Sequence, residues 1–294
     1  MTANELEKLA AFLRQTDENG VSNAEKAGGS ADDPAHCPGV VTDDSGRLIG
    51  FGIHILNESV YPLEKFELFL RDKGLTGCLD LADCRDLVFL DVYRNRLTAA
   101  NVHGQTAMRI LGLQDNALTA LDVSTLSACQ GIDVGKNRLS TLDVSKNGEL
   151  VELYIHYNDF TTVDLSHNPK LKYFWCNGNR IARLDATANP LLRHLDCLDN
   201  PLVSVRACAP QRAERLPLSL TADEGGYVGL KFCPVYTPQW KETGERQQRY
   251  VATPRAGYAF SGWFDAGGAL LFPGPTWIDE YGASRELTAR FTKA

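Results

Sequence analysis

The sequence predicts an α+β solenoid with a parallel β-sheet, closed by an N-terminal helical and hairpin cap and followed by a small C-terminal β domain. Three observations predict this fold. An asparagine recurs every 21 residues, apolar residues recur at fixed distances from it, and the period stops towards both ends of the chain. A fixed period of this length indicates stacked coils that share one core. We therefore divide the chain into a cap (1–74), a solenoid (75–212) and a C-terminal domain (213–294).

The period is marked by six asparagines. They are Asn95, Asn116, Asn137, Asn158, Asn179 and Asn200. Five and three residues before each one stands an apolar residue or a cysteine, as Leu153 and Ile155 stand before Asn158. Alternate residues of a strand share one face, so each coil is predicted to contain a short strand with this face in the core. The asparagine amide can pair backbone groups that the next turn would bury, which predicts an asparagine ladder beside the sheet.

The second half of each coil is also predicted to be extended. It contains two further sets of residues that recur once per coil and so form columns along the solenoid. The segments are LTALDVS at 118–124, LSTLDVS at 139–145 and FTTVDLS at 160–166. One column consists of the asparagines Asn147, Asn168 and Asn189. The other consists of the aspartates Asp122, Asp143, Asp164 and Asp185. We expect each aspartate to accept backbone N–H bonds in its own turn rather than to bind calcium.

Together these columns form a leucine-rich repeat pattern, and its 21-residue LDVS/LDLS form resembles the repeats of bacterial internalin-like surface proteins. The resemblance covers roughly 75–212. It implies a leucine-rich repeat fold that presents a rigid concave surface to a partner. It also implies an adhesion role at a bacterial cell surface. The pattern departs at Met108 and Cys129, which stand where leucine is expected.

Residues 1–74 are predicted to cover the apolar end of the solenoid. Two capping-box patterns predict two helices, and their residue pairs are Thr2 with Glu5 and Ser22 with Glu25. The stretch 37–53 reads as a hairpin, and its GV…DxxGR segment resembles the cap that precedes the repeats in many bacterial and plant leucine-rich repeat proteins. Pro62 is expected to open a further helix.

Residues 213–294 lose the period and read as a small β domain. Short apolar and β-branched runs predict strands at 216–222, 227–232, 249–254 and 286–291. The segment GYAFSGWFDAGG at 257–268 resembles the β repeat modules that follow leucine-rich repeats in internalin-like proteins. Its three large aromatic residues are predicted to be core residues of this domain, and they are Tyr258, Phe260 and Trp263.

The candidate binding residues come from the strand positions that face away from the core. Residues six, four and two before each ladder asparagine share this face, and in repeats four to six they are rich in aromatic residues. The predicted patch consists of Tyr154, His156, Tyr173, Trp175 and His194. An exposed aromatic patch is typical of a binding hot spot, so we expect a protein or glycan partner on this concave face. The alternative is that the C-terminal domain or a second molecule covers the patch.

No metal, cofactor or catalytic chemistry is predicted. His156 and His194 face outward whereas Cys176 and Cys197 face the core, so they do not converge as zinc ligands. The chain contains no GxSxG, HExxH or phosphate-loop motif. A Cys-x-Asp motif occurs at 78–80 and at 197–199 and resembles that of bacterial leucine-rich repeat ubiquitin ligases, which leaves a cysteine-dependent enzyme as the second alternative function. Those ligases carry the motif in a separate helical domain for which this chain has no room.

Charge and hydropathy limit the kinds of partner and the cellular locations that the sequence allows. The net charge of −7 argues against a nucleic-acid partner, and no apolar run is long enough to cross a membrane. The first twenty residues are charged throughout and contain no apolar signal-peptide core. From the resemblance we expect an extracellular or cell-surface, adhesin-like binding protein whose export signal lies outside this chain. The first alternative is a cytoplasmic leucine-rich repeat scaffold or effector that uses the same surface.

Overall fold

The computed structural model describes residues 1–52, 70–210, 215–236, 242–279 and 285–294. The helix expected at Pro62 lies outside these residues. The chain forms two compact units, Met1–Glu152 and Leu153–Ala294. The predicted division into cap, solenoid and C-terminal domain stays a prediction, because the two units meet within the repeats.

The first unit begins with two helices, α1 (Ala3–Arg14) and α2 (Asn23–Ala27), and both start at the predicted capping boxes. At the first box the Thr2 amide donates to Glu5 Oε2 at 2.7 Å, and the Glu5 amide donates to Thr2 Oγ1 at 3.2 Å. A short 3₁₀ turn follows at Pro34–His36. The predicted hairpin is confirmed, since β1 (Val40–Thr42) pairs antiparallel with β2 (Leu48–Phe51).

One strand per coil builds the main sheet of the first unit. The remaining strands of the first unit are β3 (Thr76–Asp80), β4 (Phe89–Asp91), β5 (Arg96–Asn101), β6 (Ile110–Gly112) and β7 (Gly131–Asp133). The order β1-β2-β4-β6-β7 is parallel from β2 onward, and β3 pairs parallel with β5 in a separate two-stranded sheet. The inward strand residues, such as Leu90, Leu111 and Ile132, are fully buried and form the core.

The next strand, β8 (Glu152–Tyr154), contains the boundary between the units. The second unit then forms two sheets, ordered β9-β11-β14-β15-β18 and β10-β12-β13-β19-β16-β17. Their strands are β9 (Tyr173–Trp175), β10 (Arg183–Ala186), β11 (His194–Asp196), β12 (Ser204–Pro210), β13 (Arg215–Ala222), β14 (Gly226–Tyr236), β15 (Glu242–Pro254), β16 (Tyr258–Phe264), β17 (Leu270–Phe272), β18 (Thr276–Asp279) and β19 (Arg285–Lys293).

The C-terminal strands extend the sheets of the last coils edge to edge. Strand β14 pairs antiparallel with β11, and β13 pairs antiparallel with β12. All four segments predicted as C-terminal strands lie within β13, β14, β15 and β19. Trp263 is fully buried as predicted, but Tyr258 and Phe260 remain partly exposed at the margin of the core.

The predicted asparagine ladder is confirmed. The Nδ2 atom of Asn179 donates to the carbonyls of Ile155 and Cys176, both at 3.0 Å, and its Oδ1 accepts the Phe160 amide at 3.0 Å. The residue before each ladder asparagine has a left-handed backbone, with φ between 50° and 69°. These residues are Arg94, Asp115, Lys136, Tyr157, Gly178 and Asp199. The turn that leaves each strand therefore combines one residue in the left-handed conformation with one buried or partly buried asparagine.

The second half of the coils is only partly as predicted. The asparagines of the second column, Asn147, Asn168 and Asn189, are fully buried. Each column aspartate accepts the amide of the residue two positions later at 2.8–2.9 Å, as expected. The segments 118–124, 139–145 and 160–166 nevertheless form no strands. Their backbones are tied by turns and by the buried asparagines rather than by a second ladder of strand hydrogen bonds.

Candidate functional site

The structure brings the five predicted aromatic side chains into one cluster, which we call the aromatic cluster. Strands β9 and β11 pair in parallel with Tyr173 opposite His194, and the rings of these two lie 6.3 Å apart. The Trp175 ring centroid lies 4.8 Å from that of Tyr154, 5.9 Å from His156 and 5.3 Å from His194. Trp175 is therefore the centre of the aromatic cluster.

The expectation that all five side chains are exposed is wrong. Tyr154, His156 and Tyr173 are only 6–8 % exposed, whereas Trp175 and His194 are partly exposed. Adjacent strands lie about 4.8 Å apart, so large rings on neighbouring strands cover one another. The accessible part of the aromatic cluster is thus Trp175 with His194, supported by three buried rings.

Two polar atoms of the aromatic cluster have no hydrogen-bond partner among the described residues. They are Trp175 Nε1 and His194 Nε2, and both are buried. Burial, together with the nearby charge of Lys231, lowers the pKa of His194 to about 4. The imidazole is therefore neutral at physiological pH. Unpaired buried polar atoms are rare in proteins.

Sequence analysis missed Tyr157, which lies directly beside the aromatic cluster. Its ring is 50 % exposed and packs edge-on against His156 at 5.7 Å. Tyr157 has a φ of 50°, which is uncommon for a large side chain. The signal was present in the repeat, because the residue before the ladder asparagine is charged or glycine in the other five coils and tyrosine only here.

The described C-terminal strands border the aromatic cluster along its edge. Strand β14 continues the sheet beside β11, and Lys231 Nζ lies 2.6 Å from Asp196 Oδ2 across this pairing. Among the described residues, the ring contacts of Trp175 are those with Tyr154, His156 and His194. No described aromatic ring of the C-terminal strands stacks on Trp175.

The outward strand face of the first unit carries a different group that the sequence analysis also missed. Asp91, Asp133 and Glu152 are at most 5 % exposed. A Cβ atom at Gly112 would lie 2.5 Å from Asp91 Oδ2, so this carboxyl group occupies the space that the glycine leaves. Burial raises the pKa of Asp91 well above its usual value and that of Asp133 to about 7. Burial thus favours the neutral form of Asp91 and Asp133.

Neither metal chemistry nor cysteine chemistry gains support from the described residues. Within them, no three His, Cys, Asp or Glu side chains converge on a point that could hold a metal ion. Cys197 is fully buried, its Sγ lies 3.0 Å from the Leu230 carbonyl, and burial raises its pKa to about 12. A thiol in this state is a poor nucleophile. Cys176 and Cys197 are free thiols on the core side, as predicted.

The geometry identifies the repeat. Each 21-residue coil contributes one short parallel strand, an inward apolar face and a buried or partly buried asparagine at the strand exit. The fold is a leucine-rich repeat solenoid. No known protein family matches this sequence, and no curated protein sequence matches it. Within the described residues of this leucine-rich repeat protein, no helix combines the length and apolar character needed to cross a membrane.

Several solved structures contain similar coils. The functional domain of InlJ from Listeria monocytogenes is 21 % identical over 41 % of this chain and 36 % of its own, with a TM-score of 0.35. The internalin InlF from the same organism is 18 % identical over 42 % of each chain, with a TM-score of 0.36. A leucine-rich repeat protein of Leptospira interrogans is 19 % identical over 42 % of this chain and 40 % of its own, also at 0.36. The matches span less than half the length of these three proteins.

Proposed function

We propose that this leucine-rich repeat protein is a non-catalytic binding protein that receives a protein partner on the aromatic cluster. The observation that carries the proposal is the partly exposed pair Trp175 and His194, seated on three buried rings. Binding energy in protein interfaces concentrates in such anchors, where a large ring is surrounded by packed neighbours that exclude water. Tyr157 adds a half-exposed ring at the margin of the same surface.

The rigidity of the aromatic cluster supports this function. Trp175 contacts three rings on the two neighbouring coils, and the pairing of β9 with β11 fixes the backbone of Trp175 beside that of His194. A partner that binds side chains already held in one conformation loses less conformational entropy on association.

The ring geometry favours a protein over a glycan. The rings of Tyr154, His156 and His194 lean at 47–68° to that of Trp175. A sugar stacks best on a flat, freely exposed ring face, whereas tilted rings with partly covered faces suit the shaped surface of a protein. We therefore propose a protein partner and treat a neutral oligosaccharide as the competing ligand.

We further propose that the protein works outside the cell or at the cell surface, as an adhesin-like molecule. The support is the resemblance of its LDVS/LDLS repeats to those of bacterial internalin-like surface proteins. The alternative is a cytoplasmic scaffold or effector that uses the same aromatic cluster. Protease treatment of intact source cells separates the two, because a surface protein is digested while a cytoplasmic one is protected.

The binding proposal is tested with two probe sets against the full chain. The first is an array of short synthetic peptides with constant apolar content and a net charge that runs from strongly acidic to strongly basic. The second is an array of neutral oligosaccharides. Trp175→Ala and Tyr157→Ala should weaken peptide binding, while Arg183→Ala, an exposed change on β10 in the other sheet, should not. Binding confined to the oligosaccharides would contradict the protein partner.

A further inference from the structure

A row of outward-facing residues continues the aromatic cluster across the C-terminal strands. Each residue of the row is the register partner of the next, from β9 through β11, β14 and β15 to β18. The row reads Trp175, Asp196, Lys231, Arg249 and Ile278. Their neighbours along each strand, such as Leu230 and Tyr250, are buried on the opposite face. The surface that begins at Trp175 thus runs on without a break in the sheet.

The charges along this row do not cancel. Lys231 is paired with Asp196, with Nζ 2.6 Å from Oδ2. Arg249 lies beside Lys231 on the next strand, is exposed, and forms no ion pair with any described residue. Among the described residues, Asp196 is thus paired with Lys231 and the positive charge of Arg249 has no paired carboxylate, within a chain whose net charge is −7.

Apolar side chains flank the free guanidinium. Ile278, its register partner on β18, is 56 % exposed. In the adjacent row, Leu198 and Val251 both lie near Gly229: a Cβ atom at position 229 would stand 3.0 Å from Leu198 Cδ2 and 3.9 Å from Val251 Cβ. Leu198 and Val251 are both partly exposed. A cation set among apolar groups is weakly solvated on its flanks, which strengthens its attraction for a carboxylate.

We propose that the binding surface extends over β14, β15 and β18 and that this extension receives an acidic, partly apolar segment of the protein partner. A carboxylate of the partner pairs with Arg249, while its apolar side chains cover Ile278, Leu198 and Val251. The argument for this occupant is charge complementarity at Arg249, an exposed cation with no ion-pair partner among the described residues. The inference rests on the proposed function for the existence of a partner, and it adds the chemistry by which the partner is selected.

The test uses the same peptide array, with Arg249→Gln and Arg249→Glu as variants and Arg183→Glu as the charge-matched control on another sheet. The unmodified chain should bind acidic peptides more tightly than basic ones. Arg249→Gln should reduce this preference by about fivefold, the size of an exposed charge pair, and Arg249→Glu should reverse it. Arg183→Glu should leave it unchanged. Arg249 is exposed, so both variants should fold, and thermal unfolding checks this.

The outcomes separate this inference from the proposed function. If Trp175→Ala weakens binding but acidic and basic peptides bind alike, the extension is wrong and the aromatic cluster stands. If Arg249→Glu reverses the preference while Trp175→Ala binds normally, the extension is supported and the aromatic cluster is contradicted. An acidic preference that survives Arg249→Glu would overturn the extension. Tighter binding to heparin than to acidic peptides would also overturn it, because the occupant would then be a polysaccharide.

Discussion

Tyr157 lies so closely over Gly178 that a Cβ atom at position 178 would stand 2.4 Å from Tyr157 Cδ1. The two residues occupy the same place in successive coils, immediately before a ladder asparagine, and both have a positive φ. The glycine therefore does two things: it adopts the left-handed turn without strain and it leaves room for the neighbouring ring. The relationship connects the turn of the solenoid to the margin of the aromatic cluster.

Gly178→Ala should destabilise the protein through both effects. An alanine at φ 69° costs roughly 1 kcal/mol, and displacement of the Tyr157 ring adds about as much again. We expect a loss of about 2 kcal/mol in the free energy of unfolding, measured by urea denaturation.

A double-mutant cycle checks the steric part of that prediction. In a Tyr157→Ala background, Gly178→Ala should cost only the backbone contribution, since the ring is absent. Equal costs in the two backgrounds would show that Tyr157 does not press on position 178.

The asparagine ladder gives the second prediction. Asn179→Ala removes the side chain that pairs the Ile155 and Cys176 carbonyls and the Phe160 amide, so it should cost roughly 2–4 kcal/mol of unfolding free energy. Asn177→Ala is the matched control, because Asn177 stands two residues away and its side chain is partly exposed. If the two variants unfold alike, the ladder does not stabilise the fold as described.

The depressed pKa of His194 predicts a dependence of stability on pH. The usual pKa of 6.5 falls to about 4 in the folded protein, so between these values the unfolded state binds the extra proton. This residue should therefore lower the free energy of unfolding as the pH falls from about 6.5 towards 4, by at most roughly 3 kcal/mol in all.

The contribution of His194 to the pH dependence can be separated from that of other groups by comparing the unmodified chain with a His194 variant. Asp133 has a raised pKa of about 7 in the folded protein, so the folded state binds its proton more readily than the unfolded state does. As the pH falls below 7, Asp133 therefore increases the free energy of unfolding, which is opposite to the effect of His194. The quantity to plot is thus the difference in unfolding free energy between the unmodified chain and His194→Gln. A difference that does not change between pH 7 and pH 4 would contradict the burial of a neutral imidazole.

Cysteine accessibility gives the fourth prediction. Cys78 is exposed, whereas Cys129, Cys176 and Cys197 are buried on the core side. Maleimide treatment of the native protein followed by peptide mass spectrometry should show Cys78 modified well before the other three. Early modification of Cys197 would contradict its core position and revive the cysteine-dependent enzyme.

The fold was predictable from the sequence because the same residue pattern recurs in every repeat. Six equally spaced asparagines with fixed apolar neighbours leave one geometry, and Asn179 and its counterparts adopt it. The second half of the coil was harder: Leu118 to Ser124 alternates like a strand, but its backbone is satisfied by turns and by Asn147. Alternation alone does not distinguish a paired strand from an extended segment.

The sequence predicts which residues form the aromatic cluster, but it does not predict how far their side chains are exposed to solvent. Strand register places Tyr154, Trp175 and His194 on one face, which the sequence spacing already indicates. How far neighbouring rings cover one another depends on side-chain conformation, which spacing does not encode. The row through Lys231 and Arg249 could not be foreseen either, because it depends on β14 joining the edge of β11, a long-range pairing with no local signal.

The central claim is that Trp175 anchors a protein partner, and titration calorimetry of Trp175→Ala tests it most directly. The probe is the tightest peptide from the array, and Arg183→Ala is the control. Because Trp175 is partly buried, the substitution should cost roughly 2 kcal/mol of stability while the protein stays folded. The account predicts that the folded variant binds the peptide about thirtyfold more weakly than the control. Equal affinities of the two variants would contradict it.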